Sequence, residues 1–179
     1  EQFDLRDGGY RRAPKFPLPN NWLFFLRYGV LAQDDETINH VHFTLEKIAN
    51  GGIYDHIGGG FSRYSVDGKW HVPHFEKMLY DNGQLIGLYS EACQQKPNSL
   101  YKNVVVETIE WAKREMLADN GGFYSALDAD SEGVEGKFYT FDYSEFDILG
   151  KDADLAREYY NITKNGNWSE EQINIPFVD

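Results

Sequence analysis

The chain has 179 residues, about one domain's worth, with 29 acidic against 17 basic side chains and a net charge of −12. Such a charge repels phosphate backbones and anionic lipid surfaces, and no apolar run reaches the roughly eighteen residues of a membrane span, so neither nucleic acid nor membrane is an expected partner. Cys93 is the single cysteine, which excludes an internal disulfide, a Cys-x-x-Cys pair or a zinc-thiolate site within the chain; among Leu85, Ile86, Tyr89 and Ala92 it reads as a buried thiol.

The first helix is expected from about Asn21 to Ala32. Trp22, Phe25, Leu26 and Val30 make it apolar almost all round, so it should be well buried. Asp34 and Asp35 then give an acidic start to a second helix, Glu36 to Asn50, with Ile38, Val41, Leu45 and Ile48 on one face. A third is expected from about Phe75 to Gln94 and a fourth from Leu100 to Ala118. Ser144 looks like the N-cap of a short helix, and Asp152 to Tyr160 forms another. Phe61 to Ser65, Phe123 to Leu127 and Phe138 to Phe141 alternate enough for small hairpins. The fold class is therefore mainly α: helical hairpins with short β-hairpins in the connecting loops, residues 1–179 forming a single domain.

A weak repeat joins these pieces. Asn50-Gly51-Gly52-Ile53-Tyr54 and Asn120-Gly121-Gly122-Phe123-Tyr124 each follow a long helix, and Gly8-Gly9-Tyr10 resembles a third copy. The first glycine suits the left-handed position that closes a helix. Stacked helical hairpins, with their polar excursions gathered at one end, follow from such a unit.

The stretch from Gly51 to Asn82 lies between two of these helices and holds three of the five histidines, a triple glycine and many ionisable and aromatic groups. Long irregular loops of this kind often carry function, and this one reads as a pocket floor. His71 and His74 suit proton transfer or hydrogen bonding to a polar ligand. With Glu76 they could also form a facial metal triad, but the spacing is not that of His-Glu-x-x-His, and no metal or cofactor is assigned. A histidine capping the third helix, with Glu76 against its dipole, is the structural alternative. Glu76, Tyr80 and Gln84 would form a polar column on that helix, and Lys77 and Asp81, four apart, would pair at its surface.

Asp128-Ala129-Asp130-Ser131-Glu132-Gly133 imitates the first half of a calcium loop but places Tyr139 where the bidentate glutamate belongs. A carboxylate pair for glycosidic chemistry could come from Asp55, Glu76, Asp81, Asp128 and Asp130, and no spacing rule selects two of them. Dinucleotide, Walker and nucleophile-elbow signatures are absent.

Ala13-Pro14-Lys15-Phe16-Pro17, the whole of Gly51 to Asn82, and GGFYSALDADSEGVEGKFYTF resemble the thioredoxin-domain-containing YyaL / spermatogenesis-associated protein 20 family. The resemblance implies a thioredoxin-like domain followed by an (α/α)6 toroid similar to N-acylglucosamine 2-epimerases. On this reading the chain is a fragment: the first half of the toroid, with the thioredoxin-like domain as a partner in the full protein. Its open helix faces are expected to drive homo-oligomerisation, and the expected compartment is the cytoplasm.

The expected function is carbohydrate-active, with isomerisation, epimerisation or glycoside hydrolysis as reaction class and a sugar or polyol as ligand. His71 and His74 are the proton-transfer candidates, and Asp55, Glu76, Asp81 and Asp128 the carboxylates. Arg63, Lys77 and Asp130 would orient substrate, with Tyr54, Phe61, Trp70 and Tyr80 as walls. The alternative is a non-catalytic helical scaffold or binding module.

Overall fold

The computed structural model describes residues 2–178. Its helices are α1 (Pro19–Ala32), α2 (Asp35–Asn50), α3 (Leu79–Gln95), α4 (Ser99–Trp111) and α5 (Ala153–Tyr159). Three two-stranded antiparallel pairs join the loops: β1 (Tyr64–Ser65) with β2 (Pro73–His74), β3 (Lys77–Met78) with β4 (Ala126–Leu127), and β5 (Asp130–Ser131) with β6 (Val134–Glu135). Among the described residues no helix is long and apolar enough to cross a membrane.

α2 begins where its sequence says it should. Asp34 accepts the Thr37 N–H at 3.1 Å, and Asp35 and Glu36 stand in the first turn against the positive end of the helix dipole. α1 differs from its expected burial. It packs on α2 and α3 along one stripe, Trp22, Leu26 and Gly29, while Phe24 is 62% and Leu31 86% exposed.

α3 starts four residues later than expected. Pro73 favours extended backbone before it, and Pro73–His74 and Lys77–Met78 are then claimed by pairing with β1 and β4 rather than by the helix. Glu76 is therefore not on the helix, and the column with Tyr80 and Gln84 does not exist. α4 runs from the Asn98 cap through one π-helical turn, Ala112–Met116, and stops short of Ala118. Near the end Asp142, not Ser144, caps a 3-10 segment, its N–H donating to Glu145 Oε2 at 2.6 Å. The expected strand at 138–141 is a 3-10 turn, Lys137–Tyr139, with only Phe141 paired, to Asn174. Cys93 is half-buried, its thiol donating to Asn98 O at 3.6 Å.

The main core joins Trp22 and Leu26 of α1, Val41, Leu45 and Ile48 of α2, Leu85, Leu88 and Tyr89 of α3, and Tyr101 and Val104 of α4. Ile53, Tyr54, Phe61 and Trp70 of the first excursion complete it. Fully burying a side chain such as Phe61 contributes about 2–3 kcal/mol. Asn82 of α3 locks that excursion down, accepting the Phe61 N–H at 2.7 Å and donating to Phe61 O at 3.0 Å.

The first glycine of the expected repeat takes positive φ at Gly8 and Gly121 but not at Gly51. Gly51 is extended (φ −71°), and glycine is required there because a Cβ would lie 2.5 Å from Trp70 O. The two matching units are Phe3-Asp4-x-x-x-Gly8-Gly9-Tyr10 and Tyr54-Asp55-x-x-x-Gly59-Gly60-Phe61. In each the aromatics bridge (Phe3 with Tyr10, Tyr54 with Phe61), and the aspartate N–H donates to the second glycine's carbonyl, at 2.8 Å from Asp4 to Gly9 and 2.9 Å from Asp55 to Gly60. Both glycines of each pair take positive φ. Each loop is then held by a buried lysine. Lys15 Nζ donates to Asp4 Oδ2 at 2.8 Å and Gly8 O at 2.7 Å, over the Trp70 ring. Lys77 Nζ donates to Asp55 Oδ2 at 2.7 Å and Gly59 O at 2.8 Å, over Trp111.

Candidate functional site

Register in the first β pair places Tyr64 opposite His74. Their rings stack at 5.0 Å and 23°, and Phe16 continues the stack on Tyr64 at 4.7 Å and 29°. Arg63 precedes Tyr64 and Glu76 follows His74 by two, so both lie beside this stack. The Arg63 N–H donates to Glu76 O at 2.8 Å, and its guanidinium Nη1 donates to Glu76 Oε2 at 3.2 Å. The β5–β6 hairpin brings Glu135 to the other edge of the imidazole, with His74 Nδ1 at 2.7 Å from Glu135 Oε1. His74 Nε2 faces Glu76 Oε2 at 3.8 Å, too long for a direct hydrogen bond.

The first turn of α3 closes the row. Tyr80 acts on Arg63, and its charge interaction, ahead of that of Glu76, holds the guanidinium above its ordinary value. Asp81 is half-buried, and burial pushes its carboxyl up from the ordinary value; Arg63 opposes this and Glu76 adds to it. Arg63, His74, Glu76, Tyr80 and Asp81 thus form one polar row beside an aromatic stack. Such a row can grip hydroxyl groups, present a base and an acid, and offer a flat apolar face.

The other sequence candidates lie elsewhere. Phe61 and Trp70 are fully buried and Tyr54 nearly so; Trp70 Nε1 donates to Asp7 O at 2.8 Å, and the Tyr54 hydroxyl donates to Glu107 Oε2 at 2.5 Å. They are core, because their rings fill the space between the excursion and the helices. Lys77 does not pair with Asp81 at a surface: it is 1% exposed and tied to Asp55, burial holding its ammonium below the ordinary lysine value. Asp55 Oδ1 accepts the N–H groups of Ile57 and Gly58 and organises the glycine loop.

His71 points into a separate cleft of about 520 Å³ with Lys47, Lys69, Asn167 and Phe177; its Nε2 lies 3.2 Å from Asn167 Oδ1 and its ring meets the Phe177 edge. His71 and His74 therefore do not meet at one ion. Among the described residues no cluster of three or more His, Cys, Asp or Glu is placed to hold a metal. Asp128 and Asp130 are exposed, Asp128 accepting the Asp130 N–H at 3.1 Å as a turn contact.

A cavity of about 430 Å³ lies nearby, lined by Lys77, Trp111, Arg114, Leu127, Phe138 and Tyr139 among others. Its cations are already engaged, Lys77 by Asp55 and Arg114 by Gly58 O at 2.6 Å and by Glu115. In the polar row Arg63 and His74 are also paired, but the row lies nearer solvent than Lys77, Arg63 being 41% and Glu135 49% exposed at the side chain. Sequence reading missed three residues that flank the row, Phe16 and Tyr64 of the aromatic stack and Glu135 at the His74 edge. The Tyr64 and His74 partnership follows from a two-residue register, which no helical or strand periodicity at this length reveals. Glu135 arrives from a loop sixty-one positions away.

No family model matches the chain. It is 39% identical to human spermatogenesis-associated protein 20, the match covering 96% of this chain and 25% of that protein. It is 37% identical to the uncharacterized protein B0495.5 of Caenorhabditis elegans, over 92% of this chain and 25% of that one. The chain spans about a quarter of the length of the curated relatives it matches. Among solved structures it superposes on a sugar epimerase from a ruminal bacterium with a TM-score of 0.62 at 15% identity, covering 80% of this chain and 41% of that one. A family 76 glycoside hydrolase from a bovine Bacteroides thetaiotaomicron strain gives 0.52 at 18% identity, covering 80% and 30%. The fold is accordingly that of part of an (α/α)6 toroid, with short β-hairpins in its loops.

Proposed function

We propose, for a chain that belongs with the spermatogenesis-associated protein 20 relatives along the segment they share, that its polar row is one wall of a carbohydrate site. The reaction class is proton transfer on a sugar, of the isomerase or epimerase kind. The observation that carries this reading is the row itself: His74 stacked on Tyr64 and held by Glu135, facing Glu76, which Arg63 grips.

In such a reaction a base takes the proton from the carbon next to a carbonyl, and the electron pair moves onto the carbonyl oxygen. In an epimerisation a proton then returns to the same carbon from the opposite face. In an isomerisation it returns to the former carbonyl carbon, and the neighbouring hydroxyl loses its proton as the new carbonyl forms. His74 is the proton-transfer group. Arg63 stabilises negative charge as it grows on the oxygen. Glu76 accepts from a sugar hydroxyl, and Tyr64 with Phe16 meets an apolar sugar face. Asp81, whose carboxyl burial pushes up from its ordinary value, is the second carboxyl that a glycosidase would need beside Glu76.

The same reading makes the chain the first hairpins of a toroid, beside a thioredoxin-like domain and in the cytoplasm. The exposed Phe24, Tyr28 and Leu31 face of α1 would cover a second copy or a neighbouring hairpin. A second reading, a non-catalytic binding module, draws support from His71, Asp128 and Asp55, each of which is engaged in its own loop. Thermal melting in a panel of aldoses, ketoses and polyols separates the two. A sugar that raises the melting temperature of the native protein, and fails to do so in His74→Ala, supports the site; no shift with any sugar removes it.

A further inference from the structure

We propose that Glu135 is a positioning residue that fixes the tautomer of His74, and that the gap it leaves between His74 Nε2 and Glu76 Oε2 is a seat for a hydroxyl donor. The inference rests on the carbohydrate reading for its ligand, but not for its first half.

A neutral imidazole carries one N–H and one bare nitrogen, and the partner of one nitrogen decides the other. Two carboxylates face the His74 ring. Glu135, from β6, lies 2.7 Å from Nδ1, within hydrogen-bond range; Glu76 lies 3.8 Å from Nε2, outside it. The shorter contact takes the proton, so Nδ1–H donates to Glu135. Tyr64 covers one ring face and restricts the ring from turning over to exchange its edges. Arg63 meanwhile draws Glu76 toward its own guanidinium.

Nε2 and Glu76 Oε2 are then two acceptors facing each other. Neither can satisfy the other; Oε2 already accepts from Arg63 but has a second lone pair, so a group that presents two donors engages both atoms. Two neighbouring hydroxyls of a sugar or polyol, one donating to each atom, have that chemistry. An ether or an alkyl chain does not. Nε2 is also the only ring nitrogen with a lone pair free to take a proton, so the group that holds Nδ1 determines which atom is the base. Glu135 lies on a hairpin 61 positions from His74 in sequence, which makes the base dependent on the second excursion being docked against the first.

The test reads the ring nitrogens directly. Long-range 1H–15N correlation of the histidines at about pH 9, above the ordinary imidazole range, reports the tautomer of each ring, with His74→Gln assigning the signal. The wild type is expected to show His74 as Nδ1–H. Glu135→Ala should convert it to a mixture or to Nε2–H, while Glu135→Gln, whose amide oxygen still accepts from Nδ1–H, should keep it. An unchanged tautomer in Glu135→Ala overturns the inference. In parallel, glucose and mannose are titrated as probes: Glu135→Ala should weaken any wild-type thermal shift, and Glu135→Gln should largely restore it. If the tautomer responds but neither sugar shifts the wild type, the Glu135 contact stands and the hydroxyl seat, with the carbohydrate reading, falls.

Discussion

Lys77 Nζ lies 2.7 Å from Asp55 Oδ2, and the lysine is 1% exposed. The pair fastens the Gly58-Gly59-Gly60 loop to β3, because the same ammonium holds Gly59 O. Removing one partner of a buried pair strands the other charge, which costs about 3–5 kcal/mol. Lys77→Met should therefore lower unfolding free energy by about that much in a urea titration, and Asp55→Asn with Lys77→Met should recover part of it. A loss below about 1 kcal/mol would show that the loop needs no such clamp.

The paired loops give a second prediction. Gly60 sits at φ +81°, and a Cβ there would lie 2.6 Å from Trp111 Cδ2; Gly9, at +73°, would meet Trp70 Cζ2 at 2.8 Å. Gly60→Ala and Gly9→Ala should each destabilise by about 1–3 kcal/mol, through backbone strain and displacement of the indole. Gly83, with open space around its Cβ, is the control, and Gly83→Ala in α3 should be neutral or stabilising. Equal effects at all three positions would contradict the close approach.

Acid should weaken the fold through two histidines outside the site. Burial holds His56 and His40 below their ordinary value of 6.5, with hydrogen bonds to backbone opposing it. The unfolded chain therefore binds protons that the folded one refuses. Their contribution is complete above pH 6.5 and is lost as pH falls from there through the lower folded values. Asp81 works in the opposite sense, since a raised carboxyl stabilises the folded state as pH falls through it. Melting temperature against pH should decline below 6.5, and His56→Gln, which keeps a donor for Gly51 O, should flatten that decline. A profile unchanged by the substitution would place the acid sensitivity elsewhere.

The helices were legible in the sequence wherever an amphipathic stripe decided them. α2 shows this best, with Asp34 before it and Val41, Leu45 and Ile48 inward. The start of α3 differs from the sequence expectation because residues 75–78 fit a helix locally, while the β-pairing of Lys77 and Met78 with residues far along the chain overrides the local preference. The Asn-Gly-Gly string is legible in the sequence, whereas the Asp-x-x-x-Gly-Gly unit shared by the first two loops shows only in the backbone bonds from Asp4 to Gly9 and from Asp55 to Gly60. For the site, Arg63, His74, Glu76, Tyr80 and Asp81 do lie together, whereas Phe61 and Trp70 turned inward. An aromatic residue in a glycine-rich loop carries no local mark that tells core from wall. Only the packing against α2 and α3 does.

The row should be dispensable to folding. Arg63 and Glu76 are 41% and 28% exposed at the side chain, and pairs of this kind contribute at most about 1 kcal/mol. Arg63→Ala should leave the melting temperature nearly unchanged while abolishing sugar-dependent stabilisation. A collapse of the fold instead would make the row structural.

Solvent exchange addresses the proposed chemistry most directly. Glucose and mannose are incubated with the native protein in deuterium oxide, and the C2 proton is followed by NMR. Deuterium entering C2 with the wild type and not with His74→Ala is the predicted result. No exchange into either sugar beyond the protein-free rate, or equal exchange with His74→Ala, would contradict the assignment of His74 as a proton-transfer residue acting on a sugar.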